Sequence, residues 1–313
     1  MIIFVAIKKQ MMRKIYTYIG VLLFLFSCNE NESMIDSNPN HNPNQEVSYP
    51  FLTGLLETSY VTEQAEALPD LTIPSSFPTS FDLSPLMPPV TSQKNQKSAV
   101  AFATTYYLKS FQEKIQHNYE YLSDDELMSP SFVYNQAVTN NSCDQPIAVE
   151  DALHILKEKG TNTLAEFPYT EYSCDAQPTA EQLELAAINK IASYHNVLNN
   201  SLNVSTIEIL KTLLTQNTPI IIGLKIDAKF KSATPKNSNG IYIYNHKENI
   251  GNLKHCMLIV GYDDTLNAFK VINSWGQDWG NEGYAYVNYH FFLDNTDPNY
   301  EEGLINLHIA YDL

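Results

Sequence analysis

The thiols are the strongest candidate nucleophiles in this 313-residue chain. The four cysteines stand at positions 28, 143, 174 and 256. None belongs to a C-x-x-C pair, so the spacing of zinc and thioredoxin-type sites is missing. Cys256 directly follows His255 and opens the apolar run Met257-Leu258-Ile259-Val260. An imidazole can take up and return a proton near neutral pH, and a thiol becomes a nucleophile where its pKa is lowered. On a strand, consecutive side chains leave by opposite faces. Cys256 is therefore expected to face the core, as a buried free thiol, when His255 faces a cleft.

The elements that must position these groups read as helices first and strands later. Val100, Phe102, Ala103, Tyr107 and Phe111 recur at helical spacing, which predicts a helix over 99–115 with Ser98 as its N-cap. A second helix is expected over 149–159, stopped by Gly160, and a third over 206–216. Runs rich in Val, Ile and Tyr at 219–226, 255–262, 268–274 and 283–289 predict strands. A helical half followed by a sheet half indicates an α+β chain with two lobes. Hydrophobic residues make up 44% of the chain and charged residues 17%, which supports a packed core and excludes wholesale disorder. Lys and Arg total 19 against 35 Asp and Glu, a net charge of -16. Nucleic acid would be repelled, and no basic cluster outside the N-terminus offsets this.

The N-terminus reads as an address. Lys8, Lys9, Arg13 and Lys14 precede an apolar run from Ile15 to Phe26 that ends at Ser27-Cys28. That is the layout of a secretory signal, and the run is too short for a stable span. Leu25-Phe26-Ser27-Cys28 resembles a bacterial lipobox, which implies a lipid anchor on Cys28 and an exported lipoprotein at the outer membrane or cell surface. Residues 29 to about 46 read as a flexible tether, and 47 to about 75 carry enough apolar side chains to pack on the body. The expected organisation is a signal over 1–28, a tether and short segment over 29–76, and a domain over 77–313. Within that domain the helical lobe is expected to end near 190.

Three separated segments together resemble the papain-like cysteine peptidase family. The first runs from Gln93 through Lys97-Ser98-Ala99-Val100-Ala101-Phe102, the second is His255-Cys256-Met257-Leu258-Ile259-Val260-Gly261-Tyr262, and the third is Asn273-Ser274-Trp275-Gly276. Phe167-Pro168-Tyr169 before Cys174, and Thr218-Pro219-Ile220, match two further landmarks. The resemblance implies a two-lobed papain fold, a helical lobe beside an antiparallel sheet or barrel, with a peptide-binding cleft between them. It assigns His255 as general base and acid, Asn273 as the residue fixing its tautomer and Trp275 as the cover over that bond. Gln93 would supply an amide N–H to a developing oxyanion. It also implies a Cys143–Cys174 disulfide, with the family's second bridge missing because Gln96 takes its first position. No metal or organic cofactor is implied.

The family's nucleophile position is Ala99, which has no atom that can attack a carbonyl. Removing such a nucleophile costs on the order of 10⁶ in kcat in a serine peptidase, and a loss of similar order is expected here. Ser98 is an unfavourable replacement, because its side chain leaves the helix about 100° around from position 99. Lys94 and Lys97 stand at glycine-like positions, and Asp144-Gln145-Pro146-Ile147 replaces the glycine pair that usually aligns a peptide. The stretch between Cys28 and Phe77 is shorter than the family's usual inhibitory prosegment. The leading expectation is a catalytically inactive homologue that binds peptide or protein in the inter-lobe cleft. Two alternatives stay open. One is an active endopeptidase whose nucleophile was mutated or replaced. The other is a structural scaffold whose cleft is filled by side chains such as Lys97, Gln145 and Pro146.

Overall fold

The computed structural model describes residues 51–57, 59, 65–139, 141–200, 202, 204–233, 240–247 and 253–313. Cys28, the signal and the tether lie outside the described residues.

The first long helix, α1, is one continuous rod with three windings. Ala99–Ala101 is α-helical, Phe102–Lys109 is π-helical and Ser110–His117 is α-helical again. Asn118, at φ 49°, ends it in a left-handed turn. The next helices are α2 (Pro130–Ala137), α3 (Val149–Glu158) and α4 (Ala180–Ala186). α3 buries Val149, Ala152, Leu153 and Leu156 along one stripe, the i, i+3, i+4, i+7 pattern of an amphipathic helix. Gly160 stops it at φ +80°, where an added Cβ would lie 2.0 Å from the Ala186 carbonyl oxygen. α2 starts at Ser129, whose hydroxyl accepts from the Phe132 amide. α4 starts at a capping box of Thr179 and Gln182. Ser98 stands at the N-cap position of α1, but its side chain makes no capping bond. Its φ of -95° and ψ of 17° depart from the extended backbone that aims an N-cap hydroxyl at the first amides.

The second half is a mixed sheet. In chain order the strands are β1 (Glu66–Ala67), β2 (Ser80–Asp82), β3 (Ile191–Asn196), β4 (Ile220–Ile226), β5 (Ile243–Tyr244), β6 (Leu253–Asp263), β7 (Ala268–Ile272), β8 (Tyr284–Asn288) and β9 (Leu304–Asp312). Their spatial order is β1-β3-β9-β4-β6-β7-β8-β5, with β2 paired to β6. The two edge pairs, β1 with β3 and β5 with β8, are parallel, and every other pair is antiparallel. Chain order and lobe are therefore not strictly segregated. β1 and β2 precede the helices yet join the sheet, and helix α5 (Thr206–Thr215) falls among the strands. β4 is a continuous apolar run because both of its faces are covered, Lys225 alone being half-buried. In the β4–β6 ladder Gly223 faces Cys256 and Leu224 faces His255. The first turn of α1 packs against β6, which brings residue 99 to the strand that carries His255.

Candidate active site

β6 presents His255 and the chain just beyond β7 presents Asn273. Nε2 of His255 lies 2.7 Å from Oδ1 of Asn273. That oxygen can only accept, so the imidazole carries its proton on Nε2 and leaves Nδ1 as the lone-pair nitrogen. Asn273 Oδ1 also accepts the Ser274 amide at 2.7 Å, which fixes the side chain's rotamer. The Trp275 ring stacks on the imidazole with centroids 4.3 Å apart. His255, Asn273 and Ala99 are all fully buried. Burial pushes the His255 pKa down to about 4; the bond to Asn273 opposes this and the charge of Lys231 adds to it. His255 is thus neutral at pH 7. Cys256, on the opposite face, is a buried free thiol whose pKa burial raises.

Gln93 is fully buried beside this pair. Its Oε1 accepts from the Ser274 hydroxyl at 2.7 Å, and its amide nitrogen donates to the Gln96 carbonyl at 2.7 Å. Backbone contacts fasten it further, since its N–H donates to Ser274 O and its carbonyl accepts from the Tyr169 hydroxyl at 2.6 Å. Gln96 turns its amide onto the Thr170 carbonyl at 2.6 Å, beside the sulfur of Cys143. Cys143 is joined to Cys174 in a disulfide. The bond from Lys97 N–H to Cys143 O ties the loop before α1 to this bridged segment.

The two lysines of that loop are ion-paired. Lys94 pairs with Glu171 at 3.1 Å and Lys97 with Asp144 at 2.8 Å. Lys94 adopts φ 48°, the left-handed conformation that glycine takes more cheaply. Gln145 turns its side-chain oxygen to Thr139. Lys97 and Gln145, expected with Pro146 to fill the cleft under the scaffold alternative, thus turn their polar ends to Asp144 and Thr139.

The chain's own residues 51–57 run through the groove instead. Phe51 stacks on Trp275 at 5.3 Å, and the indole N–H of Trp275 donates to the Leu52 carbonyl at 2.8 Å. Gly54 passes so close to Lys97 that an added Cβ would lie 2.3 Å from the Lys97 carbonyl oxygen. Leu55 is buried, and Leu56 N–H donates to Ile147 O at 3.0 Å. Glu57 pairs with Lys254 at 3.1 Å. This strap touches both halves of the molecule. Sequence reasoning expected only that the segment packs on the body. The clue available was Gly54, a small residue inside an apolar run in a glycine-poor chain.

Sequence reasoning also missed Tyr107. Its buried hydroxyl donates to the Asn273 carbonyl at 2.9 Å and accepts the Thr91 amide at 3.2 Å. The π-helical winding lets the adjacent Tyr106 reach the Pro89 carbonyl at 2.9 Å as well. The backbone of His255's partner is therefore pinned to the same helix that starts at Ala99.

Fold and site together define a two-lobed papain-like protein with a paired histidine and asparagine at a helix start that carries alanine. The chain belongs to the papain family of cysteine proteases, whose family model matches residues 77–292. It is 30% identical over 222 residues to the viral cathepsin of Choristoneura fumiferana nuclear polyhedrosis virus, covering 68% of this chain and 60% of that protein. It is 24% identical over 195 residues to an uncharacterised peptidase C1-like protein of Acanthamoeba polyphaga mimivirus, covering 61% of each. The chain thus spans about three fifths of the length of these two relatives. Among solved structures it resembles xylellain, a cysteine protease from Xylella fastidiosa, with TM-score 0.64 and 19% identity over 83% of this chain and 97% of that one. A digestive procathepsin L2 of Tenebrio molitor gives TM-score 0.60 and 19% identity, over 83% of this chain and 78% of that one. At these identities the structural likeness establishes the fold alone.

Proposed function

We propose that this protein is an exported lipoprotein, anchored in the cell envelope through Cys28, whose papain-like cleft binds a peptide or protein segment without cutting it. One observation carries the reading. The His255–Asn273 pair is assembled and held, yet the helix start packed beside its strand offers only the methyl group of Ala99. A methyl group has no lone pair to attack a carbonyl and no proton for His255 to remove. A neutral, buried imidazole without a thiolate partner is inert towards a peptide bond. Binding is a separate matter, and the extended strap lying in the groove supports it. The basic and apolar start of the chain supports the envelope location, and its acidity argues against nucleic acid as a partner.

A second reading, a peptidase in which alanine has replaced the nucleophile, is favoured by the intact His255–Asn273 bond. Reading codon 99 in the source gene separates the two. The functional test is hydrolysis of a mixed fluorogenic peptide library by the full chain, as it stands and as Ala99→Cys. No turnover is expected from the chain as it stands. Turnover by the unmodified chain that disappears in His255→Ala would end the pseudopeptidase reading.

A further inference from the structure

A second constellation joins the middle of α1 to the end of β9. Three side chains of α1 reach that strand. Lys109 pairs with Asp312, Gln112 donates to the Ala310 carbonyl at 2.7 Å and Gln116 donates to O of Leu313 at 3.0 Å. The ladder to β3, where Asp312 faces Ile191, fixes the strand from its other side. Nζ of Lys109 also lies 3.0 Å from Oε1 of Glu113, four positions on, and Oε2 of Glu113 lies 3.3 Å from Nε2 of His117. The side chains of Lys109 and Glu113 are each 1% exposed and that of Asp312 is 20% exposed. An amine, an acceptor carboxyl and a second carboxyl able to carry protons between them thus meet in a site nearly closed to water. One atom does not suit a simple ion pair. Oδ2 of Asp312 is buried and has no hydrogen-bond partner among the described residues. A charged oxygen left without a donor is costly, and two buried ions lose hydration that a neutral amide does not need. An amide between Lys109 and Asp312 keeps one of the two carboxyl oxygens and releases the other.

We propose that Lys109 and Asp312 condense to an intramolecular isopeptide bond, with Glu113 as the catalytic acid and base. The ion pair is the reactant. The Lys109 ammonium gives a proton to the Asp312 carboxylate that it touches, which leaves a neutral amine and a neutral acid. The amine lone pair attacks Cγ of Asp312 and forms the C–N bond, while the carbonyl electron pair moves to oxygen. Glu113 stands within the reach required of a general base; it takes the proton that Nζ sheds and hands it to the hydroxyl oxygen. That oxygen leaves as water, the carbonyl re-forms and Glu113 returns to its carboxylate. One water is lost, no electrons are exchanged and no co-reactant is needed. Holding the two groups on a helix and a paired strand makes the step unimolecular, the setting in which effective molarities of about 10⁵–10⁸ M arise. The product is a covalent clasp across 203 positions of sequence. It restricts the unfolded chain as the Cys143–Cys174 bridge does, over a longer loop and without sensitivity to reductant.

The test is a tryptic peptide map by mass spectrometry of the full chain, unfolded and reduced just before digestion. Cleavage after Lys97, Lys114 and Lys270 is expected to release residues 98–114 joined to residues 271–313, with Lys109 uncut and the pair about 18 Da lighter than the two peptides together. The yield should rise as the folded chain is incubated at neutral pH, and no joined pair should form in a chain kept in urea. Glu113→Gln and Asp312→Ala are expected to give separate peptides with Lys109 cut. Protection of Cys256 from a thiol reagent shows that each variant has folded. Asp312→Asn keeps the acceptor carbon and is expected to yield the same joined pair, with ammonia leaving in place of water. Separate peptides from the folded, unmodified chain after prolonged incubation would overturn the proposal. So would a dehydrated 98–114 peptide beside an intact 271–313, since that would place the bond at Glu113. A joined pair that forms in Glu113→Gln at the unmodified rate would overturn the catalytic role of Glu113.

Discussion

Protonating His255 in the folded chain should be difficult, and that difficulty sets a pH-dependent part of the stability. The imidazole is fully buried, and its pKa falls from an ordinary 6.5 to about 4. The unfolded chain binds a proton at this residue below about pH 6.5, while the folded chain refuses it until about pH 4. Stability from this group is therefore fully present above pH 6.5, is lost as pH falls from 6.5 to 4, and changes no further below that. The gap of roughly 2.5 units corresponds to about 3 kcal/mol at 1.36 kcal/mol per unit. Urea unfolding at several pH values between 4 and 8, for the unmodified chain and for His255→Gln, isolates the effect. Contributions from carboxyls such as Asp82 and Glu150, both held below their ordinary range, are common to both chains and cancel in the difference. The unmodified chain should lose about 3 kcal/mol more than the variant between pH 7 and pH 4. Parallel stability profiles would refute the argument, because they would mean that the imidazole titrates alike in both states. In Ala99→Cys a neighbouring thiolate would favour the imidazolium, and the window should move towards neutral pH.

Three further outcomes follow from other parts of the structure. Replacing both Cys143 and Cys174 by serine releases a loop closed across 31 residues of sequence and should cost roughly 3–4 kcal/mol of stability, read by thermal or urea unfolding. Lys109→Met removes the ion pairs to buried Glu113, at 3.0 Å, and to Asp312, leaving Glu113 with His117 at 3.3 Å; a loss of about 3 kcal/mol relative to the ion-paired chain is expected, whereas a neutral result would show that His117 or water compensates the carboxylate. Cys256 should resist a thiol reagent in the native chain and react once urea unfolds it, because burial raises its pKa and excludes the reagent; rapid native labelling would contradict its placement.

The site was legible where its chemistry is local in sequence. Residues 255–262 and 273–276 are contiguous motifs, and each sits on one strand or at its end, so the bond between His255 and Asn273 needed only that β6 and β7 be neighbours. The helices over 149–159 and 206–216 announced themselves by an apolar stripe with clear starts and stops. The winding of α1 did not. Every residue from Phe102 to Lys109 is buried, so the apolar spacing marks a helix there without distinguishing an α pitch from a π pitch. β9 pairs with β3 and β4, partners distant in the chain that short-range pattern reading does not connect. The strap was illegible for a related reason. An extended segment has no period of its own, and its partners Lys97, Ile147, Gly223 and Trp275 lie between 43 and 224 positions away.

The residues that resemble a peptidase's machinery have structural work that requires no thiol. Trp275 stacks on the His255 ring, and the same indole receives Phe51 and gives its N–H to Leu52. Asn273 holds the imidazole through its side chain, and through its carbonyl it anchors Tyr107 of α1. Gln93 is spent on Ser274 and Gln96, which closes the loop leading into position 99. Trp275, Asn273 and Gln93 thus each have a second partner in the wall or in the occupant of the groove, whereas Nδ1 of His255 has none among the described residues. Restoring a thiol at position 99 would leave those bonds in place and the strap still lying across the site. Catalysis by Ala99→Cys alone should accordingly be weak, and adding Gly54→Val, whose side chain cannot pass the Lys97 carbonyl, should raise kcat/KM by about tenfold. Equal rates in the single and double variants would show that the strap leaves the site open to substrate, and would separate the loss of the nucleophile from the closing of the groove.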